Sequence, residues 1–178
     1  GRQPTQGAWA LQQLASALLP LADADDLARG LAPYEAAYQK AFAAHTHLLL
    51  GLAGSGDLRA DLTFLQGLYG WMTTSGASWP QTFFDLYGGP ASEARMKASP
   101  QAALYDTADF APVRDALAAR TPAHPGRLSL PYFQAAAPVV LLIEDVESLW
   151  SPIAERDDWS AFDAKLAHLE AARTALAP

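Results

Sequence analysis

The sequence has no cysteine. That one absence removes disulfides, thiolate zinc sites, iron–sulfur clusters and cysteine nucleophiles together, and it fits a reducing compartment, for which a bacterial-type cytoplasm is the expectation. Positive charge is scarce: 12 Lys and Arg stand against 19 Asp and Glu, for a net charge of −7. The basic residues are scattered rather than striped, so counterion release from a phosphate backbone has little to work with and no nucleic-acid partner is expected. Long apolar runs are missing as well. Spanning a bilayer takes about 18 or more uninterrupted apolar residues. The most apolar stretch, Ala135 to Ile143, stops at Glu144-Asp145; it is expected to be a core helix, and no membrane partner follows from it. The lysine-bearing phosphate loop, the nucleophile elbow and the kinase elements (Gly-rich loop with its Lys, His-Arg-Asp-like loop, Asp-Phe-Gly) are all absent.

What remains is 178 residues, 51% apolar and only 17% charged, with 5 Trp, 6 Tyr and 7 Phe. That is enough for a folded domain with a core and argues against disorder. The chain opens on Gln3-Pro4 and runs straight into an amphipathic stretch with Trp9, Leu11, Leu14, Ala15 and Leu18 on its apolar side. With neither an initiator Met nor a polar lead-in, it is expected to be a piece of a longer chain whose chemistry lies upstream of Gly1.

Helical spacing and punctuation divide the rest. A first helix over Gly7–Leu19 ends at Pro20, and Asp23 to Asp26 cap a short helix reaching Gly30. Pro33 sits in the first turn of a helix carrying Tyr34, Ala37, Tyr38, Ala41, Phe42, His45 and Leu49. After the Gly51–Gly56 loop, Asp57 starts a helix with Leu58, Leu62, Leu65, Tyr69 and Met72 inward. Ser78 to Tyr87 forms a short aromatic helix stopped by Gly88-Gly89-Pro90. Thr107–Arg120 is read as helical with Phe110, Val113 and Leu117 on one side. Two prolines and a glycine make 121–126 irregular. Val140 to Ile153 is expected to be a helix buried on most sides, kinked or broken near Trp150 by Pro152. Asp157-Asp158 caps a last helix with Trp159, Phe162, Leu166 and Leu169 inward. The expected fold is all-α: one irregular helical domain over 1–178 of roughly seven to nine helices, with an irregular segment at 88–137 and C-terminal helices at 138–178.

The chemistry-bearing residues form no convincing site. His45 and His47 lie about 200° apart around a helix and cannot share a metal there; one half-buried and one exposed histidine is the expectation. His124 and His168 are read as surface residues. Glu144 and Glu147 share one side of a helix, as in di-metal bundles, but no Glu-x-x-His accompanies them, so a solvated edge is preferred. The Gly51–Gly56 loop follows a helix rather than a strand and lacks the phosphate-binding lysine. Trp71, Trp79, Phe83, Phe84 and Tyr87 are read as a core seam between helices rather than a ligand cage. No catalytic, cofactor-binding or metal-binding residue is expected within 1–178.

An ordered set of segments resembles the C-terminal part of the SelO (YdiU) family, pseudokinases that act as protein adenylyltransferases. Gln3-Pro4 followed by Trp9-Ala10-Leu11-Gln12-Gln13-Leu14-Ala15 is similar to the family's Asn-Gln-Pro and Trp-Asn-Leu-x-x-Leu-Ala run. Tyr34 and Tyr38 leading to Leu49-Leu50-Gly51-Leu52, then Asp57-Leu58 through Trp71-Met72 and Thr82-Phe83-Phe84, follow the family's order. The resemblance covers residues 3–87 well and fades over 88–130. Ala10 and Leu49 replace the family's Asn and Lys, and the C-terminal Cys or selenocysteine of many members is absent. The resemblance implies a parent protein that transfers AMP from ATP, with Mg or Mn, to hydroxyl side chains of protein substrates. It also implies that the ATP and metal ligands lie N-terminal to Gln3, so that the partner of these helices is the N-terminal catalytic part of the same protein, kinase-like in fold. A freestanding acidic helical interaction module is the alternative, and a small helical enzyme built on Glu144 and Glu147 a third.

Overall fold

The computed structural model describes residues 3–177, and among them every regular element is helical. The only β pairing there is an isolated bridge between Leu52 and Pro122. The helices gather into two compact units, Gly1–His45 and Thr46–Pro178.

The first unit holds α1 (Gln3–Leu18), α2 (Ala24–Leu31) and most of α3 (Tyr34–Leu50). α1 starts earlier than the sequence suggests because Pro4, without an N–H to leave unpaired, is accommodated in its first turn. α2 begins as expected: the Asp23 carboxylate accepts from the Asp25 N–H at 2.8 Å. The Tyr34 hydroxyl donates to the Pro4 carbonyl at 3.1 Å, tying the start of α3 back to the start of α1. Tyr34, Tyr38 and Phe42 stack along α3 with centroids 6.3 and 6.1 Å apart, the i, i+4 spacing of helical neighbours. Among the residues whose side chains are described, α1 and α2 bury none, and Trp9 is 57% exposed.

The second unit carries the core. α4 (Leu58–Ser75), α5 (Trp79–Leu86) and α8 (Ala111–Ala118) surround Leu65, Leu68, Met72, Leu86, Phe110 and Leu117, all essentially without solvent contact. Asp57 caps α4 as expected, accepting from the Arg59 and Ala60 N–H groups. The 88–137 segment is built from α6 (Glu93–Ala98), the single-turn α7 (Ala102–Tyr105), α8 and four short 3-10 turns. The expected Thr107–Arg120 helix is thus a 3-10 turn at Ala108–Phe110 joined to α8, with Phe110, Val113 and Leu117 buried as read.

The C-terminal part departs from expectation. Residues 139–142 are not helical; α9 (Ile143–Arg156) starts only where the Asp145 carboxylate accepts from the Leu142 N–H. α9 buries none of its residues: Ile143, Val146 and Trp150 are exposed, as are Leu141 and Leu142 just before it. Nor does Pro152 break it. The proline removes one N–H donor, but the Ser148 carbonyl it would have served lies on a solvent-exposed turn, where leaving it without a helical partner costs little. Asp157 then ends α9 in the left-handed region, at φ 52°, a conformation Asp tolerates better than most residues. Asp158 accepts from the N–H and hydroxyl of Ser160 at the start of α10 (Ser160–Leu176). α10 buries Ala172 and Ala175 beside Tyr132 and Phe133, while Trp159 and Leu166, expected inward, are exposed.

Gly51 is the tightest turn in this unit. Its φ is +60°, and a Cβ there would strike the Tyr87 ring, which is itself almost fully buried. A left-handed non-glycine residue costs roughly 1–2 kcal/mol, and overpacking adds typically 1–3 kcal/mol. Gly51→Ala should therefore lower the unfolding free energy by at least about 2 kcal/mol, read as a fall in urea midpoint at unchanged slope; a midpoint within error of the parent contradicts this packing.

Candidate functional site

The polar groups that the second unit withdraws from water converge on two carboxylates. Asp61 sits in the first turn of α4 and is 5% exposed. Arg120, just past α8, forms an ion pair with it and donates to the Ala60 carbonyl at 3.2 Å. The guanidinium lies 4.7 Å from the centroid of the Phe64 ring, a cation–π contact that shields it from solvent. The backbone N–H of Ser55 donates to both Asp61 oxygens at 3.3–3.4 Å. His47, on the last turn of α3, places Nε2 3.7 Å from Asp61 Oδ1 without a hydrogen bond. The same region is pinned by Ala53 N–H to Thr121 carbonyl at 2.9 Å and Ala123 N–H to Gly51 carbonyl at 2.8 Å.

Charge in this cluster follows from burial and partners. Burial alone pushes the Asp61 pKa up, but hydrogen bonds from Ser55 and Arg120, together with His47, outweigh it and hold the carboxyl below its ordinary range. For His47 burial dominates and lowers the pKa; the Asp61 charge opposes that shift and Arg120 reinforces it. Asp61 is thus a carboxylate beside a neutral imidazole near neutral pH.

The second carboxylate, Asp85 on α5, has no solvent contact. It accepts from Gln81 Nε2 at 2.8 Å, Ser99 Oγ at 2.5 Å and the Tyr105 hydroxyl at 2.7 Å. Gln101 extends the network by donating to Thr82 Oγ1 at 3.0 Å and to the Tyr105 hydroxyl. Burial, then the bond to Asp85, raises the Tyr105 pKa strongly, so its hydroxyl stays protonated. Arg95 donates to the Phe84 carbonyl at 2.8 Å and to the Tyr87 carbonyl. Its guanidinium packs over the Phe84 and Phe133 rings at 5.5 and 5.0 Å.

Both clusters act as fastenings. Each carboxylate takes donors from other segments of the unit, Ser55 and Arg120 for Asp61, Ser99 and Tyr105 for Asp85. Of the histidines and acids singled out from sequence, only His47 lies in one of these clusters. His45, His124 and His168 are exposed, as are Glu144 and Glu147 on α9. His47 is buried more completely than the half-burial expected. Among the described residues no three His, Asp or Glu side chains gather as a metal ion would require, and no helix is long and apolar enough to cross a membrane. In the Gly51–Gly56 loop, the Ser55 N–H that might have met a phosphate already serves Asp61. The aromatic set divides in three: Trp71 meets Tyr105 and Phe110 in the core, Phe84 and Tyr87 meet Tyr132 and Phe133 there, and Trp79, expected in the core seam, is exposed and packs with Phe83 around Tyr69.

Asp61, Arg120, Asp85 and Arg95 were not singled out by the sequence reading. A signal existed for the first: Asp61, Phe64, Leu65, Leu68, Trp71 and Met72 recur at helical spacing and are the residues that α4 buries, whereas Leu58 is 39% exposed.

Comparison with known proteins places the chain in context. The model of the family described as "Protein adenylyltransferase SelO" matches residues 1–170. The "Protein nucleotidyltransferase YdiU" of Azoarcus sp. (strain BH72) is 41% identical over 73 residues, which are 40% of this chain and 14% of that protein. The chain therefore aligns with a small part of the length of that curated relative. No solved structure matches it.

Removing one partner of a buried ion pair costs about 3–5 kcal/mol, so Asp61→Ala, which strands Arg120, should destabilise the chain by that amount in urea titrations. The pH dependence has a definite sign. A folded-state histidine pKa below the unfolded value of about 6.5 means the unfolded chain binds more protons below that pH, so stability falls on acidification from neutrality. His47→Gln should flatten the loss between about pH 6.5 and 5. Asp61, lowered when folded, adds its own loss only as the pH drops below about 4. An unchanged slope in His47→Gln contradicts the first of these assignments.

Proposed function

This chain belongs to the SelO family, and we propose on that basis that it is the helical C-terminal region of a SelO-like protein adenylyltransferase. The single observation that carries the proposal is the family match running through residues 1–170. Family membership supports protein nucleotidyl transfer as the parent activity. The finer reading is that AMP passes from ATP to hydroxyl side chains of protein substrates: the acceptor oxygen bonds to the α-phosphorus and pyrophosphate leaves.

In this reading the role of the present helices is mechanical. ATP and a divalent ion, Mg or Mn, are held by the N-terminal catalytic part, which is also the partner of these helices. The side chains described above do not suit that ligand pair. Asp61 and Asp85 are committed to internal donors, and Glu144 and Glu147 stand exposed without a third ligand. No step of the transfer is therefore routed through them. What the helices contribute is rigidity, since small misplacements of reacting groups cost large factors in rate. A cytoplasmic setting completes this reading. The second reading, a freestanding acidic helical module, draws on one observation, the exposed apolar side of α9.

The test is AMP transfer. Incubated with labelled ATP, Mg or Mn and protein acceptors, the isolated chain should incorporate no label, whereas a full-length SelO-family protein containing it should label acceptors. In that full-length protein Asp61→Ala should lower the rate at least roughly tenfold, as expected when a support of the site loosens. Transfer by the isolated chain overturns the assignment of chemistry to the N-terminal part. Absence of transfer by the full-length protein overturns the activity.

A further inference from the structure

Two helices of the second unit leave their large apolar side chains exposed or half-buried rather than in the core. On α9 the residues Val146, Leu149, Trp150 and Ile153 follow i, i+3, i+4, i+7 spacing, and on α10 Phe162, Leu166 and Leu169 follow i, i+4, i+7. Together they line an open groove of about 300 Å³ whose one charged lining residue is Lys165. That lysine is already paired with Asp145 at 3.2 Å. α10 docks on its own core through Ala172 and Ala175, and α9 buries nothing. The groove is thus a preformed two-helix trough that can take the apolar side chains of a third helix.

The surroundings of this groove say which helix. Residues 138–178 carry eight acidic and three basic side chains, five of the seven net negative charges of the whole chain. All three basic residues face acids of the same hairpin: Lys165 with Asp145, Arg156 with Glu155, Arg173 with Glu170. Glu147 and Asp163 each follow a groove residue, Val146 and Phe162, by one position, about 100° around the helix. They sit on its rims, and among the described residues neither has an ion-pair partner. An acidic rim around an apolar floor repels a second copy of this acidic hairpin and an anionic lipid surface, and favours a cationic occupant.

We propose that the α9–α10 groove is a docking site for an amphipathic helix of a protein partner, with an apolar stripe at i, i+3, i+4, i+7 flanked by Lys or Arg. The stripe fills the trough and the flanking cations meet Glu147 and Asp163. The proposal goes beyond nucleotidyl transfer and does not depend on it.

The experiment uses the chain of residues 1–178 and designed helical peptides with one leucine stripe and three flank chemistries: Lys, Glu and Gln. Binding is followed by fluorescence anisotropy of labelled peptides and by the emission of Trp150 and Trp159. The Lys-flanked peptide should bind at least roughly tenfold more tightly than the Glu-flanked one, and added salt should narrow the gap. Leu166→Lys should abolish binding of all three peptides. Glu147→Lys with Asp163→Asn, both at exposed positions, should remove the preference for Lys flanks while leaving the helical circular dichroism unchanged. Equal affinity for Lys and Glu flanks, or no binding of any peptide, overturns the proposal. So does a concentration-dependent dimer that Leu166→Lys dissociates and the Lys peptide fails to displace, or binding of phosphatidylcholine vesicles in place of peptide.

Discussion

A carboxylate removed from water must be given donors, and in the second unit that requirement organises everything around Asp61. The first turn of α4 brings the charge inside. Arg120 from beyond α8, the Ser55 N–H from the Gly51 loop and His47 from the end of α3 close over it. Desolvation makes such a group costly when any partner is withdrawn, so one side chain fixes the relative positions of three segments with no common apolar stripe. Asp85 repeats the device with neutral donors and fastens α5 to Ser99 and Tyr105. The stretch 88–137 is too poor in regular periodicity to place itself by hydrophobic pattern alone. Polar fasteners give it register: its short helices are held by Arg95, Ser99, Gln101 and Tyr105, each bonded to α5 or its flanks.

Helix boundaries were legible because capping chemistry is local. Asp23, Asp57 and Asp158 were read as helix starts from sequence alone, and each accepts the backbone N–H its position demands. Faces were less legible. Counting leucines rotated the buried side of α4 by about one residue, because Asp61 was not admitted to a core-facing position. The pairing of Asp61 with Arg120 joins residues 59 apart, and no periodicity within one chain announces such a partner. Val139 to Leu142 was misread for a different reason. An apolar run reads alike as buried helix or as extended chain, and here the Asp145 cap delays the helix to Ile143.

The family was readable where the site was not, and the two facts share a cause. Aromatic and glycine landmarks in fixed order, Trp9, Tyr34, Tyr38, Gly51, Trp71 and Phe83 among them, record how helices pack and turn. Packing is what this chain's residues do: its acidic groups are either solvated or held by internal donors. A chain can therefore match a nucleotidyltransferase family along most of its length while its described residues form no cluster of the kind a metal-assisted transfer would use. Landmarks of fold carry a lineage further than they carry a mechanism.

The two ends of α10 show how one helix can answer to two surfaces. Toward its C-terminus small side chains, Ala172 and Ala175, let the backbone approach Tyr132 and Phe133 closely. Toward its N-terminus Phe162 and Leu166 turn to α9 and to solvent. Hydrophobic free energy scales with the apolar area withdrawn from water, at about 25 cal/mol per Å². Alanines contribute little by that measure, and leucines and aromatic rings much more. A fold concerned only with its own stability would place the large residues inward and the alanines outward. The reverse distribution, continued on α9 by Val146 and Trp150, leaves the greater part of the hairpin's burial energy to be realised against a surface the hairpin does not itself supply.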